Sequence, residues 1–328
     1  MARRKLNNRQ RRRVDNRHRS DASDALSGDA LPGIVVARYG KQADVMPTAP
    51  QTADARTSYR CHIRANVHDV IAGDLVRWQP GNAAEDSPGV IVAVQPRQTE
   101  MARPDPQGQL RPVAANVTHI AVVIAPQPHP HQNLIDRYLV AIEHLGIAPL
   151  LVINKSDLQD DNHALLETFT TLYSGLGYPV LRVSAHRENT LPPLLAALDE
   201  HATVFVGQSG VGKSSLVNRI CPEAGAAVGE LSQVAKGRHT TTTTMLYPLH
   251  SGGFLVDSPG IREFGLWHLD GGQIAWGFIE FRPYLSQCKF RNCRHLDEPG
   301  CAIVAACHEG HVSAKRLESY RQIINDAQ

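Results

Sequence analysis

The sequence predicts a multidomain α/β protein with three parts: a small β-barrel, a doubly wound parallel sheet built on a phosphate-binding loop, and a C-terminal zinc-binding domain. Three observations predict it. Short β-type runs separated by turn residues fill Leu31 to about Pro112 with no helical period between them. From Asn116 strand-like and helix-like segments alternate, which is the pattern of a parallel sheet with crossover helices. Three cysteines and a histidine then fall within fourteen residues, from Cys288 to Cys301. The expected divisions are an arm over 1–30, the barrel over 31–112, the α/β domain over 113–268 and the metal domain over 269–328.

The arm is basic. Residues 1–19 hold nine Arg and Lys against the single acid Asp15. Removing these from chain totals of 34 basic and 32 acidic residues leaves 25 and 31, a body near −6. A basic arm on a mildly acidic body suits a polyanion, and nine charges would release many phosphate counterions; the other reading is a solvated tail without a ligand. The N-terminus has no apolar stretch of the secretory kind, and no apolar run reaches the roughly 18 residues of a membrane span. Six cysteines, half of them clustered, fit metal binding in a reducing compartment, so the cytosol is expected. The expected oligomeric state is a monomer.

Barrel strands are expected at Gly33–Arg38, Tyr59–Ala65, Asp74–Trp78 and Gly89–Pro96, with Pro47–Ser58 a loop. These runs alone do not separate an OB-type barrel from an SH3-like one, and few aromatics speak for a base-stacking surface. In the α/β domain strands are expected at His119–Ala125, Ala148–Ile153, Pro179–Val183 and Thr203–Val206. Helices are expected at Asn133–Leu145, His163–Leu176 and Leu191–Glu200, and a closing helix at Ser313–Ile324.

Gly207-Gln208-Ser209-Gly210-Val211-Gly212-Lys213-Ser214, followed by Ser215, matches the phosphate-loop pattern and sits between a strand and a helix, as the motif requires. Glycines let successive N–H groups face phosphate oxygens, Lys213 adds charge, and the Ser214 hydroxyl suits Mg²⁺. Asp257-Ser-Pro-Gly260 ends the apolar strand Phe254–Val256, where Asp257 can hold Mg²⁺ through water and the Gly260 N–H can meet the γ-phosphate. Between them runs Gly237-Arg-His-Thr-Thr-Thr-Thr-Thr244. A threonine hydroxyl there, Thr241 first and Thr240 next, would complete the Mg²⁺ shell only with a γ-phosphate present; an exposed strand is the plain alternative.

Asn154-Lys155-Ser-Asp157 ends the strand Leu150–Ile153. Its carboxylate can accept from guanine N1–H and the exocyclic amine, neither of which adenine offers. Asn154 can bridge neighbouring loops, the Lys155 stem can lie on the base, and Ser184-Ala185 can give a backbone N–H to guanine O6. Base recognition therefore precedes phosphate binding, the reverse of ordinary small GTPases, as if the chain were circularly permuted. Ile261 stands where many GTPases carry a water-orienting glutamine, which leaves His239 as a candidate catalytic group, with a simple loop histidine as the alternative.

Cys288, Cys293, His295 and Cys301 form a Cys₃His set suited to tetrahedral, structural Zn²⁺. Cys307, His308 and His311 are alternative donors, and Lys289, Arg291 and Arg294 are expected to lower thiol pKa values and face phosphates.

With these residues in place, the chain closely resembles the circularly permuted GTPases of small-ribosomal-subunit biogenesis, the RsgA/YjeQ family. The resemblance extends to the arginine-rich arm and the helix Asn133-Leu-Ile-Asp-Arg-Tyr-Leu, and so covers nearly the whole chain. It implies an OB-fold domain, a permuted GTPase domain and a zinc-bearing domain that bind GTP or GDP and act on the 30S particle and its 16S rRNA in late maturation. It also implies weak intrinsic hydrolysis stimulated by that particle. Two other functions fit fewer residues: a regulatory GTP-binding module acting on a protein partner, and an ATP-dependent nucleic-acid enzyme, against which Asp157 argues.

Overall fold

The computed structural model describes residues 30–48, 57–81, 87–105, 107–158, 162–224, 243–250, 252–257 and 269–326. They form two compact units that divide between Gln98 and Thr99.

The first unit is a five-stranded barrel of β1 (Leu31–Tyr39), β2 (Gln42–Pro47), β3 (Tyr59–Ile63), β4 (Leu75–Gln79) and β5 (Gly89–Val94). The strands run in the order β1-β2-β3-β5-β4, and β1 pairs with β4 to close the barrel. Only β3 and β5 are parallel. This connectivity is that of an OB-type barrel and removes the choice the strand runs left open. Val35, Val45, Cys61, Val76, Trp78 and Ile91 fill the interior, each on an alternate position of its strand. Buried Asp74 closes the loop before β4, accepting from the Ile71 N–H at 2.8 Å and from Arg97 Nε at 2.7 Å. The arm lies outside the described residues, as does most of the loop expected after Pro47.

The second unit opens with a hairpin of β6 (Glu100–Pro104) and β7 (Leu110–Ala115), so the boundary expected at residue 112 falls inside a strand. Then follow β8 (His119–Ile124), α1 (Gln132–Leu145), β9 (Ala148–Ile153), α2 (His163–Gly175), β10 (Val180–Arg182), α3 (Pro192–Leu198), β11 (Ala202–Val206), α4 (Lys213–Ile220), β12 (Met245–Pro248) and β13 (Phe254–Asp257). Their sheet runs β10-β9-β8-β11-β13-β12, parallel except for β12 against β13. Central β8 is a continuous apolar run because helices cover both its faces. Every helix and strand expected between His119 and Val206 is present, most to within two residues.

The C-terminal segment carries α5 (Gly271–Gly277), α6 (Ala302–His308) and α7 (Ala314–Asp326). It packs on α1, whose Val140 belongs to the same core as Phe278, Phe281 and Tyr320. Buried charges join the two. Arg316 on α7 reaches Asp136 of α1 at 2.5 Å and binds Glu280 through Nε at 2.6 Å and Nη2 at 2.9 Å. The Tyr173 hydroxyl of α2 donates to the same Asp136 oxygen at 2.5 Å. Arg316, Asp136 and Tyr173 are all fully buried, so each charge depends on its partners, and removing one would cost about 3–5 kcal/mol. Among the described residues no helix is long and apolar enough to cross a membrane.

Candidate nucleotide and metal sites

The chain turns from β11 into α4 through Gly207–Gly212 at the C-terminal edge of the sheet, where ligands of such folds bind. Gly207 has φ +138° and Gly212 φ +89°. A Cβ at Gly207 would sit 2.2 Å from the Val123 carbonyl of β8, and one at Gly212 would sit 2.4 Å from Asn154 Nδ2. Only glycine lets the loop lie this close to β8 and to the 154–157 turn. Tyr138 of α1 lines a small void beside Gly207, and Lys213 Nζ reaches across to the carbonyls of Gly207 at 2.7 Å and Gln208 at 2.8 Å. Val211 packs its side chain in the core, leaving its backbone to the loop. Ser214 and Ser215 follow in the first turn of α4, whose N-terminus favours anions.

Lys155, Ser209, Gly210, Lys213, Ser214, Ser215 and, from the end of β13, Asp257 line one cleft of about 520 Å³. Ser214 and Asp257 bring oxygen donors to it, the chemistry a hard cation needs. His239, Thr240, Thr241 and Gly260 lie outside the described residues.

The 154–157 turn is tied directly to this loop. Asn154 is buried, and its Nδ2 donates to the Val211 carbonyl at 2.9 Å while its Oδ1 accepts the Ala185 N–H at 3.3 Å. One side chain thus holds three loops, from β9, β10 and β11. Lys155 adopts φ +59° and clasps the carbonyls of Gln127 at 2.9 Å and Gly210 at 2.7 Å. A non-glycine residue in the left-handed region is strained backbone of the kind that gathers at functional sites.

The Ser184 hydroxyl, hydrogen-bonded to Asp157, holds that carboxyl below the usual carboxylate range, so it is ionised at neutral pH. Asp157 Oδ1 is closed to solvent and has no hydrogen-bond partner among the described residues. A buried orphan carboxylate oxygen is costly unless a ligand supplies the donor, and guanine's N1–H and amine are such donors. The Ala185 N–H, expected to face O6, is instead turned to Asn154, a long bond that a base carbonyl would share or replace.

Sequence reading missed two groups here. Gln127 and Tyr138 stand outside every phosphate-loop or base-loop motif, and only the fold brings them to 155 and 207.

In the C-terminal segment the ligand atoms of Cys288, Cys293, His295 and Cys301 lie within 4.8 Å of one another. His295 Nδ1 is 3.4 Å from Cys288 Sγ and 3.5 Å from Cys301 Sγ. Zinc–ligand bonds of 2.3 Å to sulfur and about 2.0–2.1 Å to nitrogen give a tetrahedral S···N edge of roughly 3.5 Å. The donor set therefore fits zinc, and among the described residues Cys307, His308 and His311 are not part of it. Glu298 shapes the turn by accepting the N–H groups of Arg294 and Leu296, both at 2.9 Å. The expectation that neighbouring cations lower the thiol pKa values fails. Burial pushes Cys293 up to about 12 and raises Cys301, while Lys289 and Arg291 project into solvent.

Residues 94–267 match the RsgA GTPase family. Curated proteins named small ribosomal subunit biogenesis GTPase RsgA, from Ectopseudomonas mendocina and Pseudomonas fluorescens, are 48% and 49% identical over 340 aligned positions. Each alignment covers 99% of this chain and 98% of the relative. A solved structure of YjeQ from Thermotoga maritima aligns with TM-score 0.72 at 28% identity, covering 90% of this chain and 98% of that one. YloQ, described as a circularly permuted GTPase, aligns with TM-score 0.72 at 27% identity, covering 91% and 96%. The permuted order of base and phosphate loops is thus shared along the full length, and this chain belongs to the RsgA GTPase family, with GTP hydrolysis as its activity.

Proposed function

We propose that this protein hydrolyses GTP while bound to the small ribosomal subunit, contacts its 16S rRNA, and so assists late maturation of the particle. The observation that carries the nucleotide half is Asn154, whose amide joins the base loop, the 184–185 loop and the phosphate loop into one rigid receptor. In this reading Asp157 takes the guanine edge, residues 207–215 take the phosphates, and Mg²⁺ is held by Ser214 and Thr241, with Asp257 behind a water and Thr240 in reserve. The Gly260 N–H meets the γ-phosphate. His239 orients the attacking water, because apolar Ile261 cannot.

The ribosomal half rests on the names of the relatives and on surface chemistry. In the barrel the Arg60 guanidinium lies 4.6 Å over the exposed Tyr39 ring, and Tyr59, beside Arg60 on β3, is exposed. The metal-bearing segment presents Phe290 with the Lys289 ammonium 5.5 Å from its ring and Arg291 beside it. Aromatic rings paired with cations suit stacked bases and phosphates. Zinc at Cys288, Cys293, His295 and Cys301 would hold that turn, and the basic arm adds phosphate contacts. The four-part domain scheme, with the barrel ending near 98, a monomeric state and a cytoplasmic location complete the reading.

Purified small subunits are expected to raise the wild-type rate of GTP hydrolysis by at least roughly ten-fold, and Ser214→Ala to abolish the rise. Phosphate release measured with and without subunits decides it. A wild type that the particle leaves unstimulated would remove the ribosome from the reading.

A further inference from the structure

Between β8 and α1 the chain passes beside the phosphate loop through residues 126–131, a segment outside every nucleotide-binding motif. Pro128, Pro130 and His131 meet Gly207, Gln208 and Val211 around a small void, and a Cβ on Gly210 would touch the Pro128 ring at 3.5 Å. The Gln127 carbonyl accepts from Lys155 Nζ at 2.9 Å, and the same ammonium donates to Gly210 at 2.7 Å. The segment thus lies against the phosphate loop and takes one end of the lysine from the 154–157 turn.

This segment is gripped by Asn162, at the start of α2. Asn162 Nδ2 donates to the Pro126 carbonyl at 2.9 Å, and its Oδ1 lies 2.9 Å from His129 Nδ1. With Nδ2 turned to Pro126, Oδ1 is the acceptor, so the His129 ring carries a proton on Nδ1. An asparagine that opens a helix ordinarily caps it, its side chain accepting an N–H of the first turn. Asn162 does not. Its backbone stands at φ −80° and ψ 2°, and its side chain makes no capping bond. The amide reaches across to Pro126 and His129 instead.

The effect falls on Lys155. A long, flexible stem loses rotamer freedom when it settles on a base, unless its far end is already anchored. Two carbonyls anchor the ammonium: Gly210 belongs to the phosphate loop, and Gln127 to the segment that Asn162 holds. We propose that Asn162 is a positioning residue for guanine-nucleotide binding, acting through the 126–129 segment and the Gln127 carbonyl to keep Lys155 in its binding conformation. This role rests on 154–157 and 207–215 being the nucleotide site, and not on the ribosome as partner.

The test uses the full-length, zinc-loaded chain and a fluorescent GDP analogue. Asn162→Ala is expected to weaken binding about five-fold, mostly through faster dissociation. His129→Ala, which removes one of the two grips at an exposed position, is expected to weaken it about two-fold. Lys155→Met keeps the stem and loses the ammonium, and in that background Asn162→Ala is expected to change affinity by less than about 1.5-fold. Melting temperature reports whether each variant is folded. Unchanged affinity in Asn162→Ala with a lowered melting temperature would make the asparagine merely structural and overturn the role. Multiplying effects of Asn162→Ala and Lys155→Met would overturn the route through the lysine. Failure of the wild type to bind the analogue would overturn the nucleotide site itself, and the role of Asn162 with it.

Discussion

Asp157→Asn is expected to lower affinity for GTP by roughly 30- to 1,000-fold, about 2–4 kcal/mol, and to transfer preference to xanthosine triphosphate. The wild-type carboxylate has an oxygen shut away from water with no donor among the described residues. Guanine supplies two donors on adjacent atoms, so binding repays a desolvation already incurred on folding. An amide in that place keeps one acceptor and gains a donor, which clashes with the exocyclic amine of guanine but meets the carbonyl that xanthine carries there. Because the Ser184 bond depresses the carboxyl pKa, the preference for guanine should hold as pH falls from 8 to 5 and fail only when the carboxylate takes up a proton. Titration of the variant with both triphosphates checks the exchange; an unaltered preference would put the base elsewhere.

Zinc removal carries the second large effect. Site formation and folding of such a turn are one event, so the binding free energy, of order 10 kcal/mol, is also what holds residues 288–301 in place. The loss spreads, because Cys301 lies in the core with Phe278, Phe281 and Tyr320, and the Tyr320 hydroxyl donates to the Arg294 carbonyl at 2.8 Å. Chelation is expected to collapse the near-ultraviolet circular dichroism of these rings and to lower the melting temperature. The pH dependence follows from the donors. Buried thiols keep their protons in the absence of metal, whereas burial lowers the His295 pKa and leaves it neutral near pH 7. The Cys293 and Cys301 protons leave when zinc enters, so affinity should fall as pH falls, by a factor of about a hundred per unit from these two thiols. Equilibrium competition with a chelator at pH 7 and pH 8 measures it, and a slope near zero would mean the thiols are not the ligands.

The chemistry legible in the sequence is the chemistry made by contiguous residues. A phosphate cradle needs its glycines at fixed intervals in one turn, so 207–214 announces itself, and Asn154-Lys155-Ser-Asp157 stands out as a polar run that ends an apolar strand. Apolar, β-branched runs such as Leu150–Ile153 define their strands in the same way. Strand β2 escaped notice because Gln42–Pro47 mixes Ala, Asp and Pro, and only pairing with β1 and β3 makes it a strand. The hairpin Glu100–Ala115 reads as a continuation of the barrel until its pairing is seen to be with itself alone. Asp136 looks like a polar residue in an apolar helix; its partner Arg316 is 180 positions away, and no local pattern predicts that meeting. The thiol pKa values went the other way from expectation because exposed cations are screened by water while burial is not. Asn154 is the converse case, a bridging role read from its type and borne by its contacts.

Everything turns on whether the carboxylate at 157 and the loop at 207 serve one nucleotide. Displacement of a bound fluorescent GDP analogue by unlabelled GTP and by ATP tests this most directly. GTP is expected to compete at concentrations at least roughly a hundred-fold lower than ATP, the margin one unpaired buried carboxylate oxygen supplies. Equal competition by the two would contradict it.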